Sequence, residues 1–178
     1  MSGPRVPEAA EEGPTAELLR ARRGGRLSTL DRLLLHSPPV AEGWNALLGA
    51  LRGATTLPAD LRELVVLRVA VLNDADFEWV SHEPIARRAG LAELQLQVLR
   101  LPDAAARPVW TPVQAAVLAF TDASTRDVAV PDEVFAGLRA HLDDRQVVEL
   151  TALVGGYAMV SRFLVALEVP PPDGEVAG

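Results

Sequence analysis

The chain has 178 residues, is 49% hydrophobic, carries a net charge of −7, and contains no cysteine; all 17 of its Lys+Arg residues are arginine. That length and composition fit one domain with a sizeable core. They exclude thiol peroxidase chemistry, disulfides, cysteine-rich zinc sites and lysine Schiff bases, and the acidic balance argues against a general nucleic-acid surface.

In chain order, residues 1–24 read as a flexible arm rich in Pro, Ala, Glu and Gly, with a short helix over Thr15–Arg23 stopped by Gly24-Gly25. Ser28 reads as the N-cap of a helix over Thr29–His36, with Asp31 at its third position. Pro38-Pro39 then opens a helix running to Arg52, with Trp44, Leu47, Leu48 and Leu51 at helical spacing. After the central segment come helices over Ala92–Leu101, Val113–Asp122 and from Val130 to His141. Thr111-Pro112 forms the cap and first turn of the second of these. The last helix runs from Arg145 to about Leu167. It contains Gly155-Gly156, which costs about 1 kcal/mol per glycine in a helix interior, so close approach of another helix or a ligand is the expected reason for it. Residues 169–178 read as a flexible tail, which leaves residues 25–168 as one all-helical domain. No segment alternates apolar and polar residues as a half-buried strand does, so the fold class is all-α. The amino end lacks the apolar core of a signal peptide, and no stretch of about 18 apolar residues is expected to span a bilayer. A cytoplasmic protein with no membrane contact is the resulting expectation.

Leu57 to Leu91 carries almost all the reactive side chains. It divides into a helix from Pro58 to Leu72, a break with a cap at Asn73-Asp74-Ala75-Asp76, and a second helix ended by Gly90. Glu78 and His82 are four apart and share a face. In an antiparallel pair, Glu63 and His82 lie about 16 Å and 10 Å from the turn at about 1.5 Å per residue, a difference of about one helical turn. Leaning side chains can partly bridge that gap, so Glu63, Glu78 and His82 are expected to converge. A carboxylate fixes the tautomer of an imidazole and raises its basicity, and a second carboxyl can give or take a proton. The same three residues could instead bind a metal, but the pattern is not His-Glu-x-x-His and no second histidine is near, so neither a metal nor a cofactor is expected.

The pattern Arg62-Glu63-Leu64, Phe77-Glu78-Trp79, His82, Ala86 and Gly90-Leu91 resembles the core motif of the carboxymuconolactone decarboxylase family. That family includes the alkylhydroperoxidase D-like enzymes, and weaker similarity runs from about Gly25 to Pro170, including Tyr157-Ala158-Met159-Val160-Ser161. The resemblance implies an alkylhydroperoxidase D-like helical bundle around a central antiparallel pair, assembled as a homotrimer or homohexamer. The peroxidase branch has cysteines seven and four residues before the histidine, where this chain has Ala75 and Glu78. The decarboxylase branch has an acid at the position of Glu78. The expected function is therefore a cofactor-free lyase acting on a small lactone carboxylate, with His82 as the principal acid/base, Glu78 as a second proton carrier or its orienting partner, and Glu63 as support. The alternative is a non-thiol member of the fold that binds a small ligand or serves as an accessory protein.

Several side chains have both a bland and a functional reading. Arg68, inside the apolar run LVVLRVAVL, either pairs with an acid or binds a substrate carboxylate. Tyr157 and Arg162 of the last helix are also candidates for substrate binding, and Trp79 for a pocket wall. Pro84, two residues after His82, either kinks the helix to shape a pocket or curves it round the core. His36 and His141 lie near helix ends, where a cation is favourable, and need no functional reading.

Overall fold

A computed structural model describes residues 3–172, and its described residues form α-helices and one 3-10 turn with no strand. The helices are α1 (Pro14–Arg22), α2 (Thr29–Leu34), α3 (Pro38–Gly53), α4 (Ala59–Leu72), α5 (Asp76–Arg88), α6 (Glu93–Leu99), α7 (Pro112–Asp127), α8 (Asp132–Arg139) and α9 (Asp144–Ala166). Their starts follow from local chemistry. Ser28 and Asp31 form a capping box for α2, Thr111 and Gln114 for α7, and Asp143 and Gln146 for α9, each box satisfying backbone donors at a helix start.

The bundle is built around α4, which packs on α5, α7 and α9. Every residue of α4 from Leu64 to Ala70 is buried, so the helix is enclosed on all sides rather than presenting one apolar stripe. Arg68 is part of that run and is 0% exposed. An isolated charge there would be prohibitively costly, and the structure satisfies all five of its N–H groups. Nε and Nη2 donate to the Asp122 carboxylate of α7 at 2.6 and 2.8 Å. Nη1 donates to the Leu99 and Leu101 carbonyls, and Nη2 also to Pro102. Arg68 thereby fastens α4 to α7 and to the loop after α6.

The central pair is antiparallel, as its short turn requires. Asn73 donates through Nδ2 to the Val69 carbonyl at the end of α4, and Asp74 takes a left-handed conformation (φ 53). The expected side-chain cap of α5 is absent: Ala75 holds the N-cap position and no side chain bonds there. The helix continues through Pro84 to Arg88, and Gly90 just after its cap has a φ of 104 that suits glycine; the Leu91 N–H reaches back to the Ala86 carbonyl in a six-to-one closure.

Both ends of the described residues pack on the body of the bundle. Residues 3–24 are tied to the body, with Thr15, Ala16 and Leu19 buried under α1, Arg5 N–H donating to the Leu167 carbonyl, and Arg32 of α2 paired with Glu8. At the other end Val169 is buried, while Met1, Ser2 and residues 173–178 lie outside the described residues. Helix α9 is long and apolar enough by length and composition to cross a membrane. Leu150, Leu153, Val154 and Val160 are buried against the bundle, as in the core helix of a globule.

The two glycines of α9 have different surroundings. A β-carbon at Gly156 would lie 2.8 Å from Leu51 Cδ1 of α3, so here a neighbouring helix does approach closely, whereas nothing lies within 4 Å of one at Gly155.

Candidate active site

Helices α3, α4, α5 and α9 each contribute to a single cluster of polar side chains. Its centre is His82 on α5. The His82 Nδ1–H donates to Glu63 Oε2 of α4 at 2.7 Å, with the tautomer assigned from this bond. With the proton on Nδ1, Nε2 presents a lone pair to the other side of the ring. There it meets the Tyr157 hydroxyl of α9 at 3.4 Å and Glu78 Oε2, one turn back on α5, at 3.3 Å. The His82 and Tyr157 rings cross nearly edge to face, at 88°.

Glu78 is the unusual member. It is 2% exposed, and Oε2 has no hydrogen-bond partner despite its closeness to Nε2. The 3.3 Å separation suffices for an ion pair once the ring carries a second proton. A buried carboxyl oxygen left without a partner costs about 1–3 kcal/mol, and such an oxygen is a place where a substrate proton or hydroxyl can be received. The cluster as a whole is nearly closed, with His82 6% and Tyr157 1% exposed. The Glu63 side chain, 12% exposed, is the more open end.

Arg52, at the end of α3, completes the cluster. Its Nε donates to the Tyr157 hydroxyl at 2.9 Å, and its guanidinium carbon lies 5.8 Å from the centre of the tyrosine ring. Burial pushes the Tyr157 phenol up to about 12, with the carboxylates of Glu78 and Glu63 adding to the rise and Arg52 opposing it. The phenol is therefore neutral at ordinary pH and can donate to Nε2. Burial also opposes the charge on Arg52, but Tyr157, Glu78 and Asp31 together hold its pKa above the ordinary value.

The expected trio of Glu63, Glu78 and His82 therefore meets, and Tyr157 joins it directly. The other candidates do not. Arg68 is fully engaged by Asp122 and three carbonyls, so it has no donor left for a substrate. Arg162 is exposed and donates to the Ala158 carbonyl of its own helix, with no bond to the cluster. Trp79 faces away, with the Arg100 guanidinium 3.8 Å above its ring, and lines a separate cavity of about 140 Å³ beside Ala70, Asp74 and Asp76. Arg52 was missed by the sequence reading, in which it is only the last basic residue of a helix. Its partner Tyr157 is 105 residues away, and no local spacing signals the pair.

Comparison with known proteins comes to the same segment. Residues 38–123 match the pattern of the Carboxymuconolactone decarboxylase family. Among solved structures, the chain is similar to a protein of unknown function from Agrobacterium tumefaciens, grouped with the antioxidant defence protein AhpD. That similarity has 26% identity and a TM-score of 0.73, covering 79% of this chain and 96% of that one. An uncharacterised peroxidase-related protein from Ralstonia eutropha with an alkylhydroperoxidase AhpD core is 20% identical, with a TM-score of 0.80 over 97% of this chain and 94% of that one. The debrominase Bmp8, as a cysteine-to-alanine variant in complex with 2,3,4-tribromopyrrole, is 15% identical, with a TM-score of 0.72 over 86% of this chain and 81% of that one. No curated protein matches.

Proposed function

We propose, for a chain whose residues 38–123 form a carboxymuconolactone decarboxylase-family segment in an alkylhydroperoxidase D-like fold, that the His82 cluster is the acid/base centre of a cofactor-free lyase acting on a small lactone or carboxylate. The observation that carries this reading is the opposed placement of Glu63 and Glu78 on the two nitrogens of one imidazole, at 2.7 and 3.3 Å. Glu63 holds the proton on Nδ1 and stabilises the imidazolium when it forms. Nε2 is then the working nitrogen, and Glu78 is close enough to exchange a proton with it. In a decarboxylation of this kind the bond to the carboxylate carbon breaks and its electron pair passes into the conjugated lactone carbonyl. A proton from His82 or Glu78 is delivered to ring carbon, and carbon dioxide leaves. The absence of cysteine removes the thiol alternative. That a protein of the same fold is seen with tribromopyrrole supports a small cyclic substrate.

The near closure of the cluster favours a second reading, in which the protein binds a small ligand without turning it over. Incubation with a panel of unsaturated lactone carboxylates, read by carbon dioxide release, separates the two. Turnover lost in His82→Gln and Glu78→Gln supports the lyase. Saturable ligand binding with no release from any member of the panel supports the second reading. Self-association as a trimer or hexamer is part of the same proposal, supported by the exposed apolar side chains Val148, Met159 and Val165 along α9, and light scattering tests it.

A further inference from the structure

Among the described residues Arg52 is the one cation that touches the cluster, and most of its guanidinium is unused. Nε is committed to Tyr157, while neither Nη1 nor Nη2 has a hydrogen bond or ion pair among the described residues. Arg68, buried in the same bundle, instead satisfies every donor with protein partners. A half-buried guanidinium with two free N–H edges presents the planar fork that recognises a carboxylate.

The surroundings of Arg52 add to its positive charge. Arg22, from the end of α1, bonds through Nε to Asn45 of α3, two turns before Arg52, and Arg23 follows it. One carboxylate, Asp31 of α2, serves this group. It is 1% exposed, bonds Arg23 at 3.1 Å and lies 3.8 Å from Arg22. Asp31 thus pairs with both Arg22 and Arg23, and Arg23 Nε meets it as an ion pair without hydrogen-bond geometry. Burial first, and then the neighbouring charges of Arg23 and Arg52, pull the Arg22 guanidinium down to about 10. Glu78 is the other carboxylate that acts on Arg52.

We infer that Arg52, backed by Arg22 and Arg23 from the amino-terminal helices, is a binding subsite for a carboxylate of a small organic acid, placed next to the reaction centre by Tyr157. The inference rests on His82 being that centre, because Tyr157 spans the 2.9 Å contact to Arg52 and the 3.4 Å contact to His82. The carboxylate held is one that keeps its charge through the reaction, since a cation fixed on a departing carboxylate opposes its loss. Arg22, Arg23 and Asp31 lie outside the matched segment at 38–123, so the charge that completes the subsite comes from the amino-terminal helices.

Tyr157 is the only tyrosine, so isotope-labelled tyrosine gives a single reporter beside the subsite. Titration with malonate, followed by the tyrosine resonance, is expected to give a saturable shift that neutral malonamide does not give. Arg52→Gln should weaken malonate binding at least tenfold and Arg22→Gln several-fold, while Arg162→Gln leaves it unchanged. If Arg52→Gln fails to fold, Arg52→Lys, which keeps the charge and loses the fork, should still bind malonate more weakly than wild type. A wild type that ignores malonate, or an Arg52 variant that folds and binds it as wild type does, overturns the subsite. His82→Gln keeps the two proposals distinct. Arginine-dependent malonate binding in that variant supports the subsite whatever becomes of the lyase, and turnover by a wild type blind to malonate sinks the subsite alone.

Discussion

The Glu63 carboxylate and the His82 imidazole, nineteen residues apart on successive helices, meet at 2.7 Å across the central antiparallel pair. The contact sets which ring nitrogen carries the proton. In Glu63→Leu the acceptor on Nδ1 is gone, and the neutral ring should shift toward the Nε2–H tautomer. Long-range proton–nitrogen correlation spectra of labelled histidine read this directly and need no substrate. Where turnover is measured, a loss of about 10²-fold or more is expected, the usual worth of a positioned acid/base group. An unchanged Nδ1–H tautomer in the variant would refute Glu63 as the orienting group.

Tyr157 should titrate late. Its phenol is pushed up to about 12 by burial, against about 10 for a free tyrosine. The folded-state pKa is raised, so the associated stability is fully present below pH 10 and is lost as pH rises from about 10 through about 12. Ultraviolet absorbance of the single tyrosine should therefore show a midpoint near 12, coinciding with the onset of alkaline unfolding. A midpoint near 10 in a protein still folded would contradict the buried placement.

Arg68 is a fastener, and its loss should be costly to stability. Arg68→Ala leaves Asp122 short of its main partner, though Arg126 still bonds it at 3.1 Å, and opens a void inside α4's surroundings. A loss of about 3–5 kcal/mol in urea unfolding is expected. The double variant Arg68→Met with Asp122→Leu should recover much of that, because removing both charges removes the unpaired one. A single variant as stable as wild type would show that the pair contributes little.

The two glycines of α9 predict opposite signs. Gly156→Ala places a methyl 2.8 Å from Leu51 in the core and should destabilise by about 1–3 kcal/mol. Gly155→Ala meets open space and should gain about 0.5–1 kcal/mol from helix propensity. Thermal unfolding of the two variants side by side checks the ordering, and equal effects would contradict the packing described.

Periodicity and punctuation made the helices legible, because proline, glycine and the Ser28, Thr111 and Asp143 caps are local signals. The meeting of Glu63 with His82 was legible too, since an antiparallel pair with a short turn fixes depth by residue count alone. Arg68 pointed both ways. An arginine flanked by apolar residues marks burial, but whether a substrate or Asp122 neutralises it depends on a helix more than fifty positions away in the chain. Arg52 was not legible at all, because its importance arises only when α3 and α9 pack at Gly156. The break before α5 was read as a side-chain cap, whereas the left-handed turn at Asp74 makes the reversal without one.

Asp31 gives the amino end a role that residues 38–123 alone would not suggest. A chain shortened to begin at residue 25 would keep residues 38–123 whole, yet it would strand a carboxylate that is 1% exposed without either of the guanidinium groups now facing it. Trimming to the shared core would thus yield a protein that swells or clumps at the seam between α2 and α3, and the designer of a minimal version must carry Arg22 and Arg23 along with it.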